Sequence, residues 1–293
     1  MRIQLPRRRP VRPNRTERWV VVMRPMAVLV VLLGVAGSAW IAREWQATVD
    51  RQRDERLDRT AAARAATVSA AFGHYEDALL AERSLFLASS FVSREDFRLF
   101  ASSLDLQHRY QGMQRISWRV QVPDRDKARF TAGARRDGRP GFAIRPPGRR
   151  AVYYVTLYSE LASSFRSTIG VDARTEADSR AALERARDRL ETTLSGPTAL
   201  SVDLPSARPP AAYELFVPVY RNDAATASVA ERRAALLGWA ATQFRAGDLL
   251  EAALRSAQLT TGAELYDGAV APGSLVAAFP AGFRAKCLLT VVA

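Results

Sequence analysis

Residues 113–122 read MQRISWRVQV, a strand-like run that opens a series of short strands in the second part of the chain. Four further runs of this kind follow, at Phe142–Ile144, Ala151–Leu157, Ala199–Leu204 and Tyr213–Tyr220. Glycines and prolines stand between these runs and mark turns. Helical patterns at Asp124–Arg136 and Ala177–Leu194 alternate with the strands. This order predicts a domain in which helices and short, antiparallel-compatible strands share one core.

Two flanking segments extend the same pattern. The sequence Ser93-Arg-Glu-Asp-Phe97 predicts a helix N-cap with acids in the first turn, and the helix should run to about Leu106. Residues 223–230 are predicted as a loop, and residues 231–257 as a mixture of a strand, Leu236–Phe244, and a helix. We therefore expect an α+β fold whose central part is a PAS-like mixed α/β module.

Residues 43–90 predict one long helix, because no proline occurs between Pro25 and Pro123 and helix-favouring residues dominate. Apolar residues recur mostly at steps of three or four, at Trp45, Val49, Leu57, Ala61, Ala65, Val68, Phe72, Tyr75 and Leu79. A helix of this length would reach roughly 70 Å. Its apolar stripe needs a partner. We expect a dimerising stalk whose upper half packs on its own domain.

Residues 25–42 (PMAVLVVLLGVAGSAWIA) contain no charged residue. As a helix this segment would span about 27 Å, close to the ~30 Å hydrocarbon core of a bilayer. Trp19 and Trp40 stand near its two ends, where indole rings favour the membrane interface. These features predict a single transmembrane helix in the inner (plasma) membrane. The alternatives are a cleaved signal peptide, for which the apolar core is long, and a buried helix of a soluble protein.

Positive charge is concentrated before this segment. The chain carries a formal net charge of +13, and residues 1–24 hold eight arginines against the single acid Glu17. The positive-inside rule therefore predicts a basic cytoplasmic tail at residues 1–24 and places everything after Ala42 outside the cytoplasm. The remaining positive charge is spread along helical segments, which is typical of solvated faces and argues against nucleic-acid binding.

The residue combinations that support catalysis are missing from the sequence. It contains no GxSxG elbow, no GxxxxGK[ST] phosphate loop and no GxGxxG turn. His74 and His108 are too few and too far apart for an ordinary histidine zinc site, and Cys287 is the only cysteine. We therefore expect no enzyme activity, no metal and no cofactor. An extracytoplasmic enzyme is kept as an alternative.

Residues 72–254 resemble the CHASE domain, the extracellular sensor of histidine kinases and nucleotide cyclases that includes plant cytokinin receptors. The matching segments follow one another in the family's order: Ser93–Phe97, Ile116–Trp118 with Val122–Pro123, Tyr153–Thr156, Ile169–Asp172 with Ser179–Arg180 and Ala186–Arg187, Phe216–Tyr220, and Glu231–Arg233 with Gly238–Trp239 and Phe244. Each segment is weakly specific alone, but their order and spacing together are specific. On this basis residues 91–256 are identified as a CHASE ligand-binding domain.

The resemblance implies a small-molecule ligand and four candidate contacts. In cytokinin-binding relatives an aspartate of a G-x-D motif hydrogen-bonds the ligand, and this position matches Asp172. A leucine after the next helix lines the same pocket, which matches Leu194 when counted without a gap. Tyr154 and Phe216 lie on strands that relatives use for the pocket. For Asp172 the alternative is a helix N-cap or a turn residue, and for the other three it is ordinary core packing.

The resemblance also sets expectations for the remaining residues. Relatives continue into a membrane-proximal subdomain, a second transmembrane helix and a cytoplasmic kinase or cyclase. Residues 257–293 are expected to form an incomplete second PAS-like piece, so the chain is either a fragment or a sensor without its own output. The function expected is that of a membrane-anchored sensor, a truncated receptor that acts as a homodimer. The alternative is a degenerate sensor that serves as a non-catalytic anchor.

Overall fold

The computed structural model describes the backbone of residues 15–161, 168–198, 210–256, 263–267, 271, 274–279 and 289–291. The chain divides into two compact units, residues 1–59 and residues 60–293. The predicted strand at Ala199–Leu204 and the first 14 residues of the predicted basic tail lie outside the described residues.

In the first unit the described residues belong to helix α1, which spans Arg15–Ala88 and continues into the second unit. Its large apolar side chains at Leu29, Leu32, Leu33 and Val35 are exposed. Within the described part of the chain, no helix combines the length and the hydropathy needed to cross a bilayer. Part of the predicted span at residues 25–42 lies outside the described part of the chain, because the side chains of residues 25–28, 30 and 31 are not described.

The second unit is built on a five-stranded antiparallel sheet with the strand order β2-β1-β5-β4-β3. Its strands are β1 Met113–Pro123, β2 Val152–Leu161, β3 Thr193–Leu194, β4 Ala212–Tyr220 and β5 Leu236–Arg245. The mixed α/β expectation is confirmed. Strands β1 and β5 lie side by side at the centre although they are far apart in the sequence, so the sheet brings both ends of the domain together.

Helix α1 covers one face of this sheet from Ala65 onward. Val68, Tyr75 and Leu79 are buried in the main hydrophobic cluster, as the apolar stripe predicts. Near the end of the helix, the ring of Phe86 stacks on the indole of Trp118 in β1, with the ring centroids 3.6 Å apart and an interplanar angle of 13°. Such aromatic contacts fix α1 against the central strand.

Six shorter helices complete the described fold: α2 Arg94–Ser103, α3 Leu106–Arg109, α4 Lys127–Arg136, α5 Ala177–Arg189, α6 Val229–Ala235 and α7 Ala246–Ser256. The predicted N-cap is confirmed, because Ser93 and Asp96 form a reciprocal capping box at the start of α2. That helix ends at Ser103, three residues before the predicted end, and Asp105 then adopts a left-handed conformation.

Two predicted segments differ from the structure, one in where it ends and one in its type. The helix predicted at Ala177–Leu194 ends at Arg189, because Leu190 adopts a left-handed C-cap conformation with φ 63°, and Leu194 then lies in β3. The run Phe142–Ile144 forms no strand; Phe142 and Ile144 are buried in a small hydrophobic cluster beside β2, and burial without strand pairing explains their apolar character.

The second face of the sheet is covered by α5. Leu183 and Ala186 of α5 pack there with Tyr154, Phe216 and Trp239. Trp239 donates a hydrogen bond from Nε1 to the Leu183 carbonyl oxygen at 3.0 Å, which ties the helix to β5. Farther along the chain, β6 Ala263–Asp267, β7 Leu275–Phe279 and β8 Leu289–Val291 form a separate three-stranded sheet in the order β7-β6-β8, within the predicted second piece.

Candidate ligand site on the α5 face of the sheet

Polar side chains of the three central strands, β1, β5 and β4, form a row on the face that α5 covers. Arg115 in β1 is the register partner of Gln243 in β5, and Gln243 is the register partner of Glu214 in β4. All three are buried. Because side chains alternate between the two faces of a strand, Arg119 lies on this same face, opposite the apolar Ile116 and Trp118. Five of the buried polar residues on this face form what we call the buried polar cluster: Arg115, Arg119, Ser159, Glu214 and Gln243.

Arg119 and Glu214 form the strongest interaction of the cluster. Arg119 donates from Nη1 to Oε2 of Glu214 at 3.2 Å, and its Nη2 donates to Oε1. Ser179 of α5 adds a hydrogen bond from Oγ to Glu214 Oε2 at 2.7 Å. The guanidinium also lies over the Phe216 ring, with Cζ 5.0 Å from the centroid. Both charges are therefore compensated inside the protein.

The pKa of Glu214 follows from this pairing. Burial alone raises the pKa of a carboxyl group. The charge and the hydrogen bonds of Arg119, with the hydrogen bond from Ser179 and the charge of Arg115, outweigh that effect and hold the pKa of Glu214 below its ordinary value. Glu214 is thus ionised at neutral pH and neutralises one of the two arginines.

Arg115 has no such partner. It is 3% exposed, and its Nε and Nη1 atoms have no hydrogen-bond partner among the described residues. Burial lowers the pKa of Arg115 to about 10, with Glu214 opposing and Arg119 adding to this shift. The side chain is therefore still positively charged at neutral pH. Leaving a buried charged donor unpaired costs stability, which demands an explanation.

Two neutral side chains beside Arg115 also hold a buried polar atom without a partner among the described residues. Ser159 Oγ and Gln243 Oε1 are buried and lack a hydrogen-bond partner within the described residues. Between them, Ser117 and Ala241 face each other in β1 and β5 and present only small side chains. Neighbouring strand positions of this face thus carry buried donors and acceptors that have no partner among the described residues. A polar ligand can satisfy groups of this kind.

The structure brings two of the four predicted residues together, Tyr154 and Phe216, which pack in one hydrophobic cluster with Trp239. Phe216 adjoins the buried polar cluster through its contact with Arg119. The Tyr154 hydroxyl donates to Glu184 at 3.1 Å and accepts from Arg187 at 3.1 Å. Burial raises its pKa above the ordinary value. The Tyr154 hydroxyl is therefore already engaged by protein groups.

Asp172 has a well-defined role in the fold. Its side chain is fully buried, and Oδ1 accepts hydrogen bonds from the backbone amides of Tyr154 at 2.8 Å and Arg174 at 3.1 Å. It thereby caps a short 3-10 helix at residues 173–175. Oδ2 lies 3.6 Å from Nη1 of Arg150 and has no hydrogen-bond partner among the described groups. A cap is thus observed, at the 3-10 helix and not at α5; ligand contact by Asp172 stays a prediction.

Leu194 lies on the other face of the sheet. Its register partner is Leu215, whereas the preceding Thr193 pairs with Phe216. Leu194 therefore packs with the cluster that contains α1, and Thr193 occupies the α5 face. Leu194, the position reached by counting without a gap, comes one residue after Thr193, the register partner of Phe216. Because a shift of one strand residue reverses the face, Leu194 lies on the face opposite Phe216.

Arg115, Arg119 and Glu214 were not among the predicted site residues. A signal for the two arginines exists in the segment RISWR, because they flank two large apolar residues at alternating strand positions. Such a pattern predicts which residues share a face. It does not predict that the polar face is buried. As for metals, no group of three potential ligand residues occurs in the described part of the chain.

The five-stranded sheet that carries the site lies within the range matched by a known family. The family model described as the CHASE domain matches residues 90–276, well over half of the chain, and this range contains all of the buried polar cluster. No match is found among curated proteins.

Proposed function

The chain belongs to the CHASE domain family, which implies an extracellular sensor domain of receptors, and on this premise we propose a membrane-anchored sensor that binds a small ligand on the α5 face of the sheet. The observation that carries the proposal is the buried polar cluster. Unpaired buried donors and acceptors lower stability, so a fold retains them where they serve recognition. An enzymatic role has no support from a metal site in the described residues.

The position of the cluster suggests how a signal leaves the site. The ligand face and the α1 face belong to the same three central strands, so β1 carries Arg119 toward the ligand and Trp118 toward Phe86 of α1. A ligand can shift α1 only through different affinities for two arrangements of these strands. We propose that occupancy of the site changes the packing of α1, which is the element that leads toward the membrane.

Membrane anchoring is part of the proposal. The apolar side chains at Leu29, Leu32, Leu33 and Val35 are exposed, which is costly in water and favourable in lipid. The arginine-rich residues before them favour a cytoplasmic N-terminus. Residues after Ala42 would then lie in the periplasm or outside the cell. The PAS-like character of the domain belongs to the same proposal, and its support is the five-stranded antiparallel sheet with β1 and β5 at the centre.

A second copy of the chain is the proposed partner. Trp45 and Val49 lie four residues apart on α1 and are exposed. Parallel pairing of two such helices would bury them. In this proposal a kinase or cyclase module outside these residues receives the signal. The degenerate-anchor alternative is favoured by one observation, namely that backbone groups already occupy Oδ1 of Asp172.

Cysteine labelling tests the proposed topology. In a Cys287→Ser background, Ser102→Cys places a thiol at an exposed position of α2, and Arg7→Cys places one in the basic tail. In spheroplasts that express the full chain, a membrane-impermeant maleimide should label Ser102→Cys alone. Both variants should react after permeabilisation. Labelling of Arg7→Cys in intact spheroplasts, or protection of Ser102→Cys, would refute the topology.

A further inference from the structure

We propose that the ligand carries a carboxylate and that Arg115 binds it. The inference rests on the proposed ligand site and specifies the chemistry of its occupant. It starts from a charge count. The buried polar cluster holds two guanidinium groups and one carboxylate, and Arg119 and Glu214 neutralise each other. Arg115 makes no ion pair with any described residue within 4.0 Å, so the interior of the site carries one excess positive charge.

The nearby acid Glu176 does not remove this excess. Glu176 is exposed as a residue while its carboxyl group lies largely within the protein, where Oε2 accepts a hydrogen bond from Ser179 Oγ at 3.3 Å. Burial and the charge of Glu214 raise its pKa, so Glu176 is a weaker counterion than an ordinary glutamate. The charge of Glu176 opposes the lowering of the Arg115 pKa, but the two side chains form no ion pair within 4.0 Å. The guanidinium of Arg115 therefore still lacks a direct ion-pair partner among the described residues.

The excess charge and the donor geometry select the class of ligand. A guanidinium is a planar set of N–H donors that matches the planar carboxylate, and charge-assisted hydrogen bonds of this kind are stronger than neutral ones. One excess charge balances a monoanion, whereas a phosphate monoester carries up to two negative charges. A carboxylate is therefore favoured over a phosphate.

The neutral residues of the cluster add a second requirement. Gln243 is directly opposite Arg115, and Ser159 is its diagonal neighbour across β1 and β2. The Ser159 hydroxyl can donate to a carboxylate oxygen, and the unpartnered Gln243 Oε1 can accept from a hydroxyl or amino group. The geometry thus favours a small acid that also bears a hydrogen-bond donor.

The test compares acids with their own amides. The full chain in detergent is heated with lactate or lactamide, with benzoate or benzamide, with glycine or glycinamide, and with adenine as a neutral planar probe. At least one carboxylate should raise the Tm saturably, and its amide should not. Arg115→Met should weaken this binding at least tenfold. Arg98→Met, which removes an exposed arginine of α2, should leave it unchanged.

Arg115→Lys provides a second variant that keeps the charge and loses the planar fork, and it should bind the effective acid more weakly than the wild type. The inference is overturned if no carboxylate stabilises the wild type, if acid and amide act equally, or if both Arg115 variants respond as the wild type does. A response to adenine that survives in Arg115→Met would overturn the carboxylate while retaining a ligand site. Absence of any response would count against the ligand site itself.

Discussion

Arg119 in β1 and Glu214 in β4 reach across the intervening strand β5 and bind each other with both guanidinium Nη atoms and both carboxylate oxygens. The two side chains are nearly inaccessible to solvent, at 5% and 7% exposure. Their contact therefore joins the three central strands on the face proposed to bind the ligand, while the opposite face of the same strands holds α1.

Removing one partner of this pair should lower the free energy of unfolding far more than removing both partners. Glu214→Gln leaves the Arg119 charge buried without a counterion, and we expect a loss of about 3–5 kcal/mol in the free energy of unfolding. The double variant Arg119→Met/Glu214→Met removes both charges and should recover most of this loss. Urea unfolding of the full chain measures both. A double variant as unstable as Glu214→Gln would mean that packing, and not charge, dominates here.

Asp172→Ala should destabilise the protein even without a ligand. The substitution leaves the buried amide of Tyr154 without its acceptor and removes the cap of the 3-10 helix, for which we expect a loss of about 2–3 kcal/mol. Asp172→Asn keeps an acceptor oxygen and should retain most of the stability. If Asp172→Ala unfolds at the same urea concentration as the wild type, the capping role is wrong and the role as a ligand contact gains support.

Glu82 of α1 should make the protein more stable in acid. Both of its carboxylate oxygens are buried and have no hydrogen-bond partner of normal geometry among the described residues, and burial raises its pKa well above 4.5, with the Ala241 backbone opposing. The folded state therefore binds this proton more tightly than the unfolded chain does. Stability from Glu82 is fully present below about pH 4.5 and is lost as the pH rises through the folded pKa.

Replacing Glu82 tests this dependence. Glu82→Leu should raise the Tm at pH 7 and flatten the decrease of Tm between pH 5 and the folded pKa, because the variant has no carboxyl group to ionise. Glu95→Gln on the exposed face of α2 is the control and should keep the wild-type slope, since its carboxyl is not buried. A Glu82→Leu variant with an unchanged slope would assign the pH dependence to other groups.

The stalk should form parallel dimers. In the Cys287→Ser background, Val49→Cys lies in the apolar stripe, and we expect it to form an intermolecular disulfide on mild oxidation of membranes. Arg51→Cys, two residues farther on, points away from that stripe and should cross-link much less. Gel electrophoresis without reductant measures the dimer fraction. Equal cross-linking of the two variants would argue against a specific helix pair.

The parts of the fold that depend on local periodicity were predictable. Val68, Tyr75 and Leu79 recur at helical spacing, and the structure buries all three against the sheet. The capping box at Ser93 is also local, since donor and acceptor lie three residues apart. Prediction failed where the course of the chain depends on the conformation of a single residue. The left-handed Leu190 ends α5 early and so moves Leu194 to the opposite face from Phe216.

The site was less predictable for a different reason. Arginines on one face of a strand ordinarily indicate a solvated face, and nothing local shows that α5 covers it. The partner of Arg119 is Glu214, 95 residues away, and it becomes a neighbour only through the β1-β5-β4 strand order. Family resemblance pointed to the sheet on which we propose the site. It pointed to Asp172 and Tyr154, whose Oδ1 and hydroxyl are already engaged by the fold.

The most direct measurement of the central claim, that the α5 face is kept for a ligand, is the unliganded stability of Arg115→Met. If the unpaired guanidinium serves recognition, this variant should unfold at a higher urea concentration than the wild type, with a gain of about 1–2 kcal/mol. Arg98→Met supplies the baseline for an exposed arginine. A loss of stability comparable to that of Glu214→Gln would show that Arg115 supports the fold, and it would contradict the account.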